Sequence, residues 1–303
     1  MPSQDSQAMG DLFVFLNRYL NMPSTDVGLY RLLLEELHSV TPEPTDVTYE
    51  EVLCPGTVRP AIWCKPHGAS PSRVILYLHG GAFAAGSPSS HRKVVAHIAK
   101  AVGCYALIID YRRAPEHQFP AAIEDAVAAF RWLRDVKGIP STNIATAGDS
   151  AGGNLSVTTA LKLRESGEQT QAAIVCFSPW FDMKMTGESY KTNAETDILV
   201  NRTAIEQMSG TYVGSASLDD PLIDLLNADF TGMPPMYLAS GGSEIVASDV
   251  EQLGARARES GVEVHTELSE GMQHLYFFMV GRTSEADQTI EHVRHFLRQK
   301  LAL

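Results

Sequence analysis

The chain is short of cysteine, short of basic residues and free of long apolar runs. Its four cysteines, Cys54, Cys64, Cys104 and Cys176, are scattered, with no CxxC pair and no histidine cluster beside them. Neither a zinc site nor a dense disulfide framework is therefore expected. Reduced thiols suit a cytosol, and a cytoplasmic location is expected. Lys and Arg number 24 against 36 Asp and Glu, a formal charge of -12. Such a field repels phosphate backbones and acidic lipid, which removes nucleic acid and anionic membrane as partners. Residues 12–16 are apolar, but Asn17 and Arg18 interrupt them and no basic stretch precedes them, so no signal peptide is read. No run approaches the length of a membrane span, and there is no internal repeat or low-complexity tract.

What remains is an ordinary globular composition. Over 303 residues, 44% are hydrophobic and 20% charged, which excludes a disordered, collagen-like or coiled-coil chain. That length fits one catalytic domain with a single core and an added lid. From about residue 74, short β-branched runs at 74–78, 105–109, 144–147, 173–178, 236–240 and 262–268 alternate with helical stretches at 91–101, 121–136, 155–165, 249–260 and 286–301. Strand and helix in alternation predict an α/β fold, a mostly parallel central sheet flanked by helices. Ahead of it, 47–53 and 60–64 flank a Pro-Gly turn and predict an antiparallel hairpin at the sheet edge. Two segments, 1–40 and 181–225, stand outside the alternation. The first repeats Leu12, Phe13, Leu16, Leu20 and then Tyr30, Leu33, Leu34, Leu37 at helical spacing; the second carries apolar side chains too few for a core of their own. Together they are read as a helical cap, over a catalytic domain of 41–180 and 226–303.

Gly148-Asp149-Ser150-Ala151-Gly152 follows a strand and opens a helix, the context in which G-x-S-x-G forms a nucleophile elbow. A serine hydroxyl is a poor nucleophile at neutral pH and needs a histidine to take its proton, with an acid behind the ring to fix its tautomer. Of the ten histidines, His274 lies in a loop after the last strand, where a sheet-end base belongs, whereas His292 and His295 fall on the terminal amphipathic helix. The first carboxylate after strand 236–240 is Glu244. Asp249 is its rival, five residues on, where a helix begins and a carboxylate is favoured by the dipole. Ser150, Glu244, His274 is the order of α/β-hydrolases and not that of trypsin-like or subtilisin-like enzymes. After strand 74–78 comes His79-Gly80-Gly81-Ala82-Phe83, a glycine-rich loop whose N–H groups, with that of Ala151, suit an oxyanion. His79, beside the glycine pair, is read as a structural ring that holds this loop.

At these positions the sequence resembles the hormone-sensitive-lipase-like, or bacterial family IV, esterases of the α/β-hydrolase superfamily. The matching pieces are the 79–83 loop, Asp110-Tyr111-Arg112-Arg113-Ala114-Pro115-Glu116-His117, Phe119-Pro120-Ala121-Ala122, Gly148 to Asn154, and Gly271-Met272-Gln273-His274. The resemblance covers roughly residues 74 to 297. It implies a carboxylesterase with a helical cap, working without metal or organic cofactor on short- to medium-chain esters, with Gly81 and Ala82 as oxyanion donors and Gly80 shaping the turn. The chain departs from the family at Ala82, where a third glycine is usual, and at Glu244, where most members have aspartate. The 110–117 segment is expected to brace the oxyanion loop, with Glu116 paired to Arg112 or Arg113.

The reading is therefore a serine carboxylesterase with catalytic Ser150, Glu244 and His274, an oxyanion hole of Gly80, Gly81, Ala82 and Ala151, and a pocket touched by Phe83, Trp180 and Leu275. Its partner is a small-molecule ester, and a homodimer is compatible with the sequence. Two other readings stand beside it: a lactone hydrolase with the same triad, and a non-catalytic small-molecule-binding protein of this fold.

Overall fold

The computed structural model describes residues 13–14, 17–18 and 26–303. Eight strands form one sheet in the order β1-β2-β4-β3-β5-β6-β7-β8: β1 Val47–Val52, β2 Ala61–Pro66, β3 Ser70–Leu78, β4 Cys104–Ile108, β5 Ile144–Asp149, β6 Ala173–Phe177, β7 Met236–Gly241 and β8 Val264–Ser269. The expected hairpin is β1–β2, antiparallel with Val47 opposite Pro66, and β2 also runs antiparallel to β4. All other pairs are parallel. β3 and β5 to β7 lie in the middle, covered on both faces, which is why their sequences read as continuous apolar runs instead of alternating ones.

The period-two alternation reappears in the packing. Ile75, Tyr77, Ala145, Ala147, Val175 and Phe177 face one way, onto Val94, Val95 and Ile98 of α2 (Pro88–Val102) and Val293 and Leu297 of α8 (Ser284–Lys300). Val74, Leu76 and Leu78 face the other way, onto α3 (Ala121–Arg131), while Ile174, Cys176 and Leu238 meet α4 (Ala151–Glu165) and α7 (Ala247–Glu259). α3 stops earlier than expected: Trp132–Val136 forms a π-helical turn. α4 starts earlier than residue 155, immediately after Ser150.

α1 (Val27–Glu35), capped by Asp26, and the 3-10 turn Glu36–Ser39 that follows it cover the expected amphipathic repeat from Tyr30 to Leu37. The earlier apolar repeat lies largely outside the described residues. Between β6 and β7 the chain makes no simple crossover. It inserts a long connection with a short α5 (Ser189–Thr192) and α6 (Arg202–Val213). Among the described residues no helix is long and apolar enough to cross a membrane, and no group of His, Cys, Asp and Glu is arranged to hold a metal ion.

Candidate active site

At the carboxyl end of β5 the chain turns sharply. Ser150 takes φ 50 and ψ −118, left-handed backbone for a residue with a side chain, a strain costing about 1–3 kcal/mol that neighbouring structure must overcome. Hydrogen bonds from Ser150 N to Phe177 O and from Trp180 N to Ser150 O pin the turn to the end of β6. The turn also lies hard against β3: a Cβ on Gly152 would sit 1.8 Å from Leu78 O. The glycines of G-x-S-x-G are there because backbone passes where a methyl group would be.

His274 follows β8 and is 4% exposed. Its Nδ1 lies 2.7 Å from Glu244 Oε2, so Nδ1–H donates to the carboxylate and Nε2 is left as acceptor. Burial pulls the imidazole down, but the charge and hydrogen bond of Glu244, with Asp197 and Asp149 behind it, outweigh burial and hold His274 above its ordinary value. The other oxygen of Glu244 accepts from Ser178 Oγ at 2.7 Å and from Gly241 N. Ser178 Oγ in turn accepts from Leu275 N at 3.2 Å, tying Glu244 to the loop that carries His274.

The rival carboxylate is elsewhere. Asp249 is buried, and its Oδ2 accepts from Phe181 N, Asp182 N and Tyr190 OH, so it ties α7 to the start of the insertion. Its Oδ1 has no partner among the described residues, and burial pushes the carboxyl up to about 8. A carboxyl neutral at pH 7 and bonded to backbone amides is not placed to orient His274.

The glycine-rich loop leaves β3 through Gly81 at φ 111, Ala82 at φ 53 and Phe83 at φ 59. Ala84 N and Ala85 N both close on Gly81 O. Gly80 does not belong among the oxyanion donors: its N–H is committed to Asp149 Oδ1 at 3.1 Å, and its part is to shape the turn. The N–H groups of Gly81 and Ala82 meet no acceptor among the described residues, nor does that of Ala151, an unpaired first-turn amide of α4. Asp149, on the elbow itself, gathers this region. It accepts from Tyr77 OH at 2.8 Å and lies 3.3 Å from His91 Nε2. Burial works to raise Asp149, yet His91, Tyr77 and His79 prevail and keep it below its ordinary value.

His79 holds the loop through Nδ1 and Gly80 O, 2.8 Å apart, and stacks on Tyr111 at 4.2 Å. Burial keeps its ring well below the ordinary value, hence neutral. The 110–117 segment braces this loop: Tyr111 OH donates to His79 O, Ala114 N to Phe83 O and Arg113 to Gly86 O. Glu116, however, pairs with neither arginine proposed for it. Arg112 is engaged by Asp125 and Glu124 and Arg113 by Asp110, while Glu116 takes Arg31 of α1 at 2.6 Å. Arg31 also reaches Ala84 O and Ala114 O, fastening α1 over the oxyanion loop.

Ser150, His274, Gly81 and Ala82 open onto one cavity of about 650 Å³. Trp180 and Leu275 line it. Phe83 does not: it is 1% exposed and stacks on Tyr212 at 3.6 Å, behind the wall. The remaining wall comes from α1, through Val27, Tyr30 and Leu34, and from the insertion, through Leu199, Val200 and the 203–211 face of α6. Sequence reasoning missed Ser178, Arg31 and the insertion residues that touch the acid loop. None belongs to a motif, and each acts on a partner tens of residues away.

The α/β hydrolase fold family matches residues 75–278. Curated relatives include an acetyl-hydrolase of Streptomyces hygroscopicus, 37% identical over 78% of this chain and 79% of its own, and an esterase of Acinetobacter venetianus, 30% identical over 75% of each. The crystal structure of an esterase from the bacterial hormone-sensitive lipase family superposes with a TM-score of 0.92 at 37% identity, covering 99% of this chain and 100% of that one. EstE5, soaked with p-nitrophenyl butyrate, superposes at 0.91 with 32% identity and the same coverage. With its sheet order, its serine on a strand-to-helix turn and a Glu-bonded histidine opening onto the same cavity, this chain belongs to the α/β-hydrolase family, as a carboxylic ester hydrolase of the hormone-sensitive-lipase-like branch.

Proposed function

We propose that the protein is a serine carboxylesterase that cleaves short- to medium-chain esters through an acyl-enzyme. The observation that carries this reading is His274, bonded to Glu244 and opening onto the same cavity as Ser150, with the imidazole in the tautomer that accepts a proton at Nε2. Ser150 Oγ attacks the ester carbonyl as His274 takes its proton. The Gly81, Ala82 and Ala151 N–H groups receive the oxyanion, and each such donor is worth on the order of 10² to 10³ in kcat. His274 then protonates the leaving alcohol and activates the water that releases the acid, with Glu244 stabilising the imidazolium.

Residues 26–40 and 181–225 act as the cap over a catalytic body of 41–180 and 226–303. Both cap segments contribute to the cavity wall and leave room for a chain of moderate length. The soak of EstE5 crystals with a butyrate ester supports a substrate of that size. A cyclic ester presents the same carbonyl, but the relatives bear the names esterase and acetyl-hydrolase, which favours open-chain esters. Four free cysteines, three of them buried, suit a reducing cytoplasm.

The test is rapid mixing with p-nitrophenyl butyrate followed by acid quench and mass spectrometry. A butyryl adduct on Ser150 is expected, and Ser150→Ala should fold normally while losing about 10⁶ in turnover. Turnover retained by Ser150→Ala would remove the serine mechanism.

A further inference from the structure

The insertion between β6 and β7 does more than roof the cavity. Over residues 193–200 it is bonded to both loops that carry the acid and the base. Asn193 Nδ2 donates to Gly242 O at 3.0 Å and to Glu244 O at 2.8 Å. Asp197 Oδ2 accepts from Ile245 N at 2.9 Å, while its Oδ1 accepts from Leu199 N and Val200 N and so shapes the turn into the cavity wall. On the other side Gln273, next to His274, accepts from Ile198 N and donates to Thr196 O, both at 2.9 Å. The backbone on either side of the Glu244 side chain is thus gripped by Asn193 and Asp197, and the neighbour of His274 is gripped by the same short stretch.

Asp197 is 7% exposed, and a carboxylate is not buried without a reason. Three backbone N–H groups satisfy its two oxygens. The charges whose fields act on His274 are Glu244 from the loop after β7, which contacts it, Asp197 from the insertion and Asp149 from the end of β5. Burial, with the nearby charge of Glu244, raises Asp197 above its ordinary value, and His274 together with the N–H donors opposes that rise only in part.

We propose that Asn193 and Asp197 are positioning residues of the active site: they set the Glu244–His274 geometry from the cap side, and Asp197, held beside Glu244 through Ile245 N, adds a second carboxylate to the field on His274. The inference rests on Ser150, His274 and Glu244 being the triad. A brace of this kind places one stretch of chain in the cavity wall, through Leu199 and Val200, and against the loops of Glu244 and His274. Shaping the wall and aligning the triad then fall to the same residues. A displacement of the base by about 1 Å is enough to cost on the order of 10² in rate.

The experiment compares Asn193→Ala, Asn193→Gln, Asp197→Asn and wild type in p-nitrophenyl butyrate hydrolysis from pH 5 to 9, with folding checked by thermal melting. Asn193→Ala should lower kcat about tenfold or more with KM within about twofold, and Asn193→Gln, which keeps the amide donors, should recover part of the loss. Asp197→Asn turns an N–H donor toward Ile245 N and removes a charge. It should lower kcat and move the acid limb of kcat/KM to lower pH, whereas Asn193→Ala leaves that limb in place. A merely structural role would change melting and not the limb. If Asp197→Asn fails to fold, the kcat and KM values of Asn193→Ala decide. Unchanged kcat and an unmoved limb, or a change confined to KM, would overturn the proposal. Labelling of wild-type Ser150 by a fluorophosphonate separates the two failures: without it the triad reading falls and this inference falls with it; with it, only the brace is at stake.

Discussion

Replacing Glu244 by glutamine changes one atom, and its effect follows from the hydrogen bonds around that carboxylate. One oxygen sits between two fixed donors, Ser178 Oγ and Gly241 N, and the other accepts from His274 Nδ1. Glutamine has a single carbonyl oxygen, and the site with two donors claims it. The NH₂ group then faces His274 Nδ1. Two donors cannot share that 2.7 Å gap, so the ring moves its proton to Nε2, the nitrogen that must accept from Ser150. The corresponding acid-to-amide change in a serine protease triad costs about 10⁴ in kcat, or about 5 kcal/mol of barrier. We expect a loss of that order in kcat for Glu244→Gln, with KM nearly unchanged because the side chain is fully buried behind His274. The pH profile supplies a second readout. In the wild type Glu244 lifts His274 against burial, so the acid limb should lie above the ordinary histidine range; without the charge, burial prevails and the limb of the residual activity moves down. Steady-state hydrolysis of p-nitrophenyl butyrate from pH 5 to 9 measures both. Glu244→Gln activity within tenfold of wild type, or a larger kcat loss in Asp249→Asn, would refute the reasoning and move the acid to Asp249.

Three further outcomes are expected. Across p-nitrophenyl esters from acetate to palmitate, kcat/KM should peak at roughly four to eight acyl carbons, each methylene adding up to about 0.8 kcal/mol until the cavity is full; a monotonic rise, or a jump at emulsified triglyceride, would show that the cavity opens onto lipid. Gly152→Ala should express poorly or melt far below wild type, since its Cβ meets Leu78 O at 1.8 Å, and a wild-type melting curve would contradict the tight elbow. The folded state holds Asp249 at about 8, above its unfolded value, so it binds more protons than the unfolded chain between about pH 4 and 8 and loses stability as pH rises through that window. Asp249→Asn should therefore gain in melting temperature relative to wild type between pH 5 and pH 9, as calorimetry would show, and a parallel offset at all pH values would contradict it.

Much of this is legible in the sequence because it is local. Parallel strands buried on both faces announce themselves as apolar runs, a Pro-Gly pair marks the β1–β2 hairpin, and G-D-S-A-G between a strand and a helix carries its own geometry. The mostly parallel sheet follows from the alternation that residues 74 onward display. Glu244 and Asp249 are separable in the sequence only by asking which carboxylate comes first after β7; their opposite environments emerge from tertiary packing. The pairing expected for Glu116 fails because Arg112 and Arg113 are near it in sequence, whereas Arg31 reaches it from 85 residues away. Phe83 belongs to the oxyanion motif, yet its left-handed backbone turns the ring away from the cavity and onto Tyr212. No periodicity encodes the contacts of Asn193, Asp197 and Gln273, since they join one irregular segment to two loops.

The contact of Gly152 with the end of β3 has a consequence for how this enzyme acquires new substrates. The nucleophile is referenced to the sheet, through backbone, with no side chain in between that a substitution could resize. Positional error at the reacting oxygen is therefore almost independent of what happens above it. Variation has to enter from the roof, and the roof divides at Asn201, whose side chain caps α6 by accepting from Ala204 N. Before that residue the chain is bonded to the loops of Glu244 and His274 and reaches the cavity through Leu199 and Val200. After it, Thr203, Gln207, Met208 and Thr211 touch the cavity from one helical face and are free to change with the ester. Leu199 and Val200, just before Asn201, line the same cavity, so α6 is where selectivity can be varied with the least effect on the chemistry.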